Sequence, residues 1–194
     1  MNYRPLAALL GASLFSLSVF AQSPVPAAPA PSFRADVQKV VADFAHGFAS
    51  IRGRQLDQDP QTVEYASLVS PEGTKETSIT RYSSNGKPVY SWQSVLLRTE
   101  DYAEAAKKYK WAFGELKGMN VRYVVDQYTL EGRFDKPEEE RNFASSELRL
   151  AHPPAPLRKL KVRVQLQYEM PEWKVSIMVY EQEKTDDEQA EHMD

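Results

Sequence analysis

Residues 160–168 read LKVRVQLQY, a stretch in which apolar and polar side chains alternate without a break. A period of two is typical of a β-strand that buries one face and leaves the other in water. Residues 173–179 read WKVSIMV and again place an apolar side chain at every second position. The two stretches therefore predict neighbouring strands of a sheet with one buried face.

A turn at Pro171-Glu172 would fold these strands into an antiparallel hairpin. On the buried face this register pairs Tyr168 with Val175, Leu166 with Ile177, and Val164 with Val179. On the other face it sets Glu169 against Lys174 and Arg163 against Tyr180, which are favourable cross-strand pairs. We expect this register because it satisfies both faces at once.

Other strands are predicted along the chain by alternation and turn residues. Asn85-Gly86 is a strong signal for a two-residue hairpin turn and sets Ile79 opposite Trp92. Ser70-Pro71-Glu72-Gly73 is typical of a turn that ends an earlier strand. The strands are expected near 63–69, 76–83, 88–98, 121–134 and 143–150.

A first helix is predicted from Ser32, a plausible N-cap, to a stop at Gly53. Its apolar positions recur at steps of three and four residues and form one stripe: Phe33, Val37, Val40, Val41, Phe44, Phe48 and Ile51.

A second helix is predicted between Asp101, with Glu104 three residues later as in a capping box, and Gly118. Its apolar stripe has the same spacing: Tyr102, Ala106, Tyr109, Phe113 and Leu116.

The predicted element order is helix, three strands, helix, four strands. Short turns between the strands favour antiparallel pairing. We therefore expect an α+β fold in which two amphipathic helices pack on one face of a curved antiparallel sheet.

The ends of the chain differ in composition from its middle. Residues 1–21 combine Arg4, an apolar stretch and small residues before Ala21, as in a cleaved secretory signal peptide. Residues 22–32 are rich in Pro and Ala and predict an extended spacer. Residues 33–181 are expected to form one domain, and 182–194 an acidic, disordered tail. The mature protein is thus predicted to be secreted or periplasmic, with no transmembrane span.

Composition excludes several kinds of chemistry. The 194 residues contain no Cys and three His, and their net charge is −3. We therefore expect no disulfide, no thiolate site, no metal, no cofactor and no nucleic-acid partner. No phosphate-binding glycine motif, metalloprotease motif or nucleophile elbow occurs in the sequence.

Four residues are candidates for binding a protein or peptide partner. Trp111 falls about 180° from the centre of the second helix's apolar stripe, and exposed Trp is enriched at binding sites. A covering segment of the chain, such as the loop 52–62 or the proline spacer, is the favoured explanation, and a partner contact is the alternative. Met178 and Tyr180 point away from the buried face of their strand, and with Arg163 they form a candidate patch. A loop or the tail packed over them would account for these side chains equally. We therefore expect an exported, non-catalytic binding or accessory domain.

Two alternatives remain open. A pocket between helices and sheet would make the protein a carrier of a small apolar ligand, lined by Phe44, Phe48, Trp92, Tyr109 and Phe113. Carboxylates brought together by the fold would instead make it a hydrolase.

Overall fold

The structure, a computed structural model, describes residues 32–74, 76–84 and 87–181. The predicted signal peptide, the spacer up to residue 31, the Asn85-Gly86 turn and the predicted tail (182–194) lie outside the described residues. Within the described part of the chain, no helix is both long and apolar enough to cross a bilayer.

Two helices and nine strands make up the fold. The helices are α1 (Phe33–Asp43) and α2 (Tyr102–Leu116). The strands are β1 (Arg52–Gln58), β2 (Thr62–Ser67), β3 (Glu76–Ser84), β4 (Lys87–Thr99), β5 (Asn120–Tyr123), β6 (Asp126–Gly132), β7 (Phe143–Leu150), β8 (Leu160–Glu169) and β9 (Glu172–Glu181).

All nine strands join one antiparallel sheet in the order β1-β2-β3-β4-β9-β8-β7-β6-β5. The chain builds this sheet as two meanders, β1 to β4 and β5 to β9, and the last strand of each meander pairs with the other at the centre. Helix α2 carries the chain from the central strand β4 to the edge strand β5. The molecule is therefore an antiparallel α+β structure dominated by its sheet.

Helix α1 begins as predicted and ends earlier than predicted. The Ser32 side chain accepts a hydrogen bond from the Ala35 amide (3.2 Å), which makes Ser32 the N-cap. A short 3₁₀ turn over 44–46 follows the helix. The predicted stop at Gly53 is wrong because Gly47 already leaves the helix with φ +61°. A side chain at Gly47 would also meet the Tyr90 ring, since an added Cβ would lie 3.0 Å from it.

Helix α2 agrees with its prediction at both ends. The Asp101 carboxylate accepts hydrogen bonds from the amides of Ala103 (2.7 Å) and Glu104 (3.2 Å). Gly118 follows the helix with φ +74°. The buried stripe lies slightly rotated from the predicted one, because Ala105 is buried where Ala106 is only half-buried.

One hydrophobic core joins the helices to the sheet. Its members come from both helices and from the inward positions of the strands, and include Val37, Val41, Phe48, Trp92, Tyr109, Phe113, Leu148, Val164, Val175 and Ile177. Both helices therefore lie on the same side of the sheet, as predicted. We call the opposite side the outward face.

The predicted element order needs correction in two places. Residues 52–58 form the edge strand β1, where only a loop was expected, so four strands precede α2. The single strand expected at 121–134 is a hairpin, β5 and β6, that turns at Val124 and Val125. Five strands therefore follow α2.

The hairpin registers were predicted with mixed success. Ile79 pairs with Trp92, as expected from Asn85-Gly86. The predicted β8–β9 register is wrong by two residues: Tyr168 pairs with Trp173, and Leu166 pairs with Val175. The turn lies at Met170-Pro171, between the paired Glu169 and Glu172. Each side chain stays on its predicted face, because a shift of two preserves the alternation.

Candidate partner-binding surface

The outward face carries a charged cluster on its central strands. Lys161 and Arg163 on β8 alternate with the fully buried Val162 and Val164, so their side chains point away from the helices. Glu147 on β7 is the direct cross-strand partner of Arg163. We define the Glu147 cluster as Glu147, Arg149, Lys161, Arg163 and Tyr180.

Four side chains surround the Glu147 carboxylate. Lys161 Nζ donates to its Oε1 (2.9 Å), and Arg149 donates to the same oxygen through Nε (3.3 Å) and Nη2 (3.2 Å). The Tyr180 hydroxyl donates to Oε2 (2.9 Å), and Arg163 Nη2 lies 3.5 Å from that oxygen. Three cations therefore share one carboxylate, which leaves the cluster with an excess of positive charge.

Arg163 is held against Tyr180 in two ways. Its Nη2 donates to the Tyr180 hydroxyl, and its guanidinium carbon lies 4.7 Å from the centre of the Tyr180 ring. The sequence predicted a direct cross-strand pair of these two residues, but they are diagonal neighbours, because Arg163 pairs directly with Met178. Stacking and hydrogen bonding together fix the orientation of the guanidinium plane.

Burial differs sharply between the three cations. The side chain of Lys161 is 4% exposed, that of Arg163 34% and that of Arg149 66%. Lys161 thus lies beneath the cluster and holds Glu147, while the two arginines face solvent. Arg163 Nε is shielded from solvent and has no hydrogen-bond partner among the described residues.

The cluster shifts the titration of its two acidic groups. Burial alone would raise the pKa of Glu147, but hydrogen bonds from Lys161 and Tyr180 and the charge of Lys161 lower it to about 2. Burial raises the pKa of Tyr180 to about 12, and its hydrogen bond to Glu147 acts in the same direction. At neutral pH the carboxylate is therefore ionised and the phenol is protonated.

A second group of ion pairs lies on the same face, towards the ends of β4 and β8. Glu169 accepts from Lys174 and from Arg98 (3.1 Å), and Arg98 also lies 3.7 Å from Glu76. The hydrogen bond from Lys174 is the main cause of a lowered pKa at Glu169, and Arg98 adds to it. The two positive charges of Arg98 and Lys174 are therefore balanced by the two negative charges of Glu76 and Glu169.

A groove of about 400 Å³ adjoins this second group. Its lining includes Leu56, Ser78, Gln93, Val95, Arg98 and Lys174. The direct cross-strand partners of Gln93 are Ser78 on one side and Met178 on the other. One row of side chains therefore runs from Glu147 through Arg163 and Met178 to this groove.

The structure brings three of the four predicted partner-binding residues together. Arg163, Met178 and Tyr180 are adjacent on the outward face. Trp111 lies apart from them, because α2 packs on the other side of the sheet. Its ring lies 4.7 Å from that of Phe33, Lys108 Nζ is 4.0 Å from its centre, and the residue is 38% exposed. The first residue of α1 therefore covers part of Trp111.

The residues of the alternative pocket mostly fill the core. Phe48, Trp92, Tyr109 and Phe113 are buried, and Phe44 packs against the same core. The Tyr109 hydroxyl lies 2.6 Å from Ser146 Oγ and donates to the Asp135 carbonyl (3.1 Å), so its polar end is satisfied. Burial raises the pKa of this phenol to about 12.

Carboxylates on this surface act as ion-pair acceptors. Among the described residues, no three His, Asp or Glu side chains are grouped as metal ligands. The lowered pKa values of Glu147 and Glu169 keep both groups ionised at neutral pH. A general acid for hydrolysis needs the opposite, a carboxyl group that retains its proton.

Sequence reasoning did not select Arg149, Arg98 or Gln93 as candidate residues. The alternation of FASSELRL over β7 could have placed Glu147 and Arg149 on the outward face. Leu148 lies between them and Leu150 follows Arg149, and both leucines point to the buried face. Arg98 had no such signal. A bulge between Val95 and Leu97 shifts β4 out of simple alternation.

Comparison with known proteins gives no relative for this chain: no family model, no curated protein and no solved structure matches it.

Proposed function

We propose that this protein is an exported, non-catalytic binding domain that recognises a protein or peptide partner through the outward face of its sheet. The observation that carries the proposal is the position of the helices. Both pack on one side, and none of the described helices covers Arg163, Met178 and Tyr180 on the other.

The composition of this face supports a role in protein recognition. Tyr, Arg and Met are enriched at protein interfaces, and Tyr and Arg are frequent among the residues that dominate binding energy. The hydrogen-bonded strands beneath them form a rigid base that holds these side chains in place before binding. A preorganised surface loses less conformational entropy on association.

The sequence of residues 1–21 supports an extracytoplasmic setting. Its charge, apolar stretch and small residues before Ala21 are those of a secretory signal. The partner would then be met in the envelope or the extracellular space. The carrier alternative gains no support, because four of its five residues fill the core.

The test is affinity capture from an envelope extract of the source organism. We expect the wild-type protein to retain a specific partner and a Met178→Asp variant to lose it, because Met178 lies between Arg163 and Gln93 on the binding face. Lys107→Ala, at an exposed position of α2, is the matched control and should retain it. Circular dichroism shows whether each variant is folded.

Capture of nothing beyond the control resin by the wild-type protein would contradict the proposal. So would a partner that a folded Met178→Asp variant retains as well as the wild-type protein does.

A further inference from the structure

We infer that the outward face binds an acidic segment of its partner, with Arg163 and Arg149 as the anion-binding groups. This inference rests on the proposed function and deepens it by assigning the chemistry of the partner.

The charge balance of the Glu147 cluster points to an anion. Arg149, Lys161 and Arg163 carry three positive charges and Glu147 one negative charge, within contacts of 2.9 to 3.5 Å. Glu131, the direct cross-strand partner of Arg149, adds a second negative charge, so one positive charge remains in excess. The neighbouring ion pairs of Arg98 and Lys174 are balanced by Glu76 and Glu169. The excess positive charge on these strands therefore concentrates at the cluster, where it attracts an anionic side chain.

The two arginines have donors to offer. Arginine carries five N–H donors, and Arg163 uses Nη2 for Tyr180 while its side chain remains 34% exposed. Arg149 contacts Glu147 through Nε and Nη2, and its side chain is 66% exposed. Lys161 is buried beneath them and keeps Glu147 ionised in place. A carboxylate from outside can thus approach Arg163 and Arg149 without displacing Glu147.

The surroundings of the cluster favour a peptide over a free anion. Arg163, Met178 and Gln93 are successive cross-strand partners on β8, β9 and β4, and Gln93 lines the groove of about 400 Å³. Two strand spacings separate Arg163 from Gln93, about 10 Å, which an extended peptide covers in about three residues. We therefore expect an acidic residue at the arginines and an apolar residue about three positions away, beside Met178 and Val95.

The experiment uses the complete protein and labelled synthetic peptides, with binding followed by fluorescence anisotropy. The probe is the sequence Glu-Glu-Ala-Ala-Leu, and its controls replace Glu by Gln, Glu by Lys, or Leu by Ser. We expect the acidic peptide to bind best, to weaken with added salt, and to lose affinity when Leu is replaced.

Two variants test the anchor residues directly. Arg149→Ala and Arg163→Ala should each weaken binding of the acidic peptide about tenfold or more, since each removes a charged hydrogen-bond donor. Lys107→Ala should leave binding unchanged. Arg149 is the more informative site, because its exposed side chain can be removed with little effect on folding.

Several results would overturn the inference. Equal binding of the Glu and Gln peptides would do so, as would unchanged binding by folded Arg149→Ala and Arg163→Ala variants. Inorganic phosphate that binds as tightly as the peptide would assign the site to a free anion. Peptide binding that appears in a chain ending at Glu181, but not in the complete protein, would indicate that the face binds the protein's own acidic residues 182–194.

The inference and the proposed function can fail separately. In one informative outcome, the Met178→Asp variant loses a captured partner, while the Arg149→Ala and Arg163→Ala variants both retain it. That result would support the proposed function and refute the assignment of an acidic segment to the partner.

Discussion

At the scale of single residues, Val124 has a backbone conformation that its side chain disfavours. It has φ +57° in the two-residue turn between β5 and β6, and it is 75% exposed. A left-handed conformation costs an L-residue about 1–2 kcal/mol, and β-branched residues adopt it rarely. Turns of this kind favour glycine at a central position with positive φ.

Val124→Gly should therefore stabilise the protein. The relief of strain outweighs the extra chain entropy of glycine, and we expect the free energy of unfolding to rise by about 0.5–1 kcal/mol. Thermal and urea unfolding measure it. Val125→Gly is the matched control, because Val125 does not share the positive φ, and it should give no increase.

Trp111→Ala should lower the free energy of unfolding by about 1–2 kcal/mol, less than for a fully buried Trp because the ring is partly exposed. The loss is expected because the ring packs on Phe33, with centroids 4.7 Å apart. Lys110→Ala, at an exposed position beside it, is the control. An unchanged melting temperature would mean that the Phe33 contact contributes nothing and that Trp111 is available to a partner.

Glu147 should make stability depend on pH in the acid range. Its pKa falls from an ordinary value of 4.5 to about 2 in the folded protein. A lowered pKa means that the carboxylate contributes stability above about pH 4.5 and loses that contribution as the pH falls towards 2. We expect on the order of 1–2 kcal/mol, reduced for partial exposure. Urea unfolding between pH 7 and pH 2 measures it.

Glu147→Gln tests the assignment of this pH dependence. The variant leaves the buried Lys161 without its counter-ion, so it should lose about 1–3 kcal/mol at neutral pH. It should also show a shallower loss of stability on acidification. Glu72→Gln, at an exposed position in the turn between β2 and β3, should behave like the wild-type protein. A variant as acid-sensitive as the wild type would refute the role of Glu147.

At the scale of elements, the cap of α2 has a defined energetic role. The Asp101 carboxylate satisfies the amides of Ala103 and Glu104 and lies at the positive end of the helix. Asp101→Ala should lower the free energy of unfolding by about 1 kcal/mol, and Asp101→Ser should restore most of the loss. Chemical unfolding of both variants checks the pair. Equal destabilisation by Ala and Ser would show that the cap bonds are not responsible.

Alternation and caps predicted the elements that bury an apolar face. Strand β1 was not predicted, because its sequence RGRQLDQ contains only one strongly apolar residue. An edge strand can pair on one side without burying a periodic apolar face. Helix α1 was predicted too long because Phe44, Phe48 and Ile51 continue its apolar spacing. Gly47 and the Asp43 carboxylate, which accepts from the Ser50 amide (2.9 Å), decide the end instead.

The β8–β9 register shows the limit of pattern reasoning. Registers that differ by two residues place the same side chains on the same faces, so alternation cannot choose between them. The geometry of the turn decides, and here it lies at Met170-Pro171 rather than Pro171-Glu172. The contacts of Arg163 with Tyr180 and Lys174 with Glu169 survive as diagonal pairs.

At the scale of the whole molecule, the pairing of β4 with β9 is what unites the sheet. A chain ending at Met170 would lack β9 and leave two separate meanders, each with a newly unpaired central strand. We expect it to lose cooperative unfolding and near-UV circular dichroism. A chain ending at Glu181 keeps every described strand and should retain both. A cooperative transition in the shorter chain would refute the central role of β9.

The candidate surface was only partly predictable, because part of it joins strands that are distant in sequence. Arg163, Met178 and Tyr180 belong to neighbouring strands of one hairpin, so local sequence brings them together. The groove joins Leu56 of β1 and Arg98 of β4 to Lys174 of β9. These strands are distant in sequence, and alternation within each strand gives no information on which strands become neighbours.

The central position of the last strand also constrains the order in which the protein can assemble. Domains generally acquire structure as the ribosome delivers the chain from its N-terminus. Here the two meanders can pair with each other only after residues 172–181, which form β9, have been synthesised. Until that segment emerges, β4 and β8 each lack a neighbour and no complete sheet exists. The nascent polypeptide is thereby kept from completing its sheet early, because the strand that joins the two meanders is the last of the described strands to be synthesised.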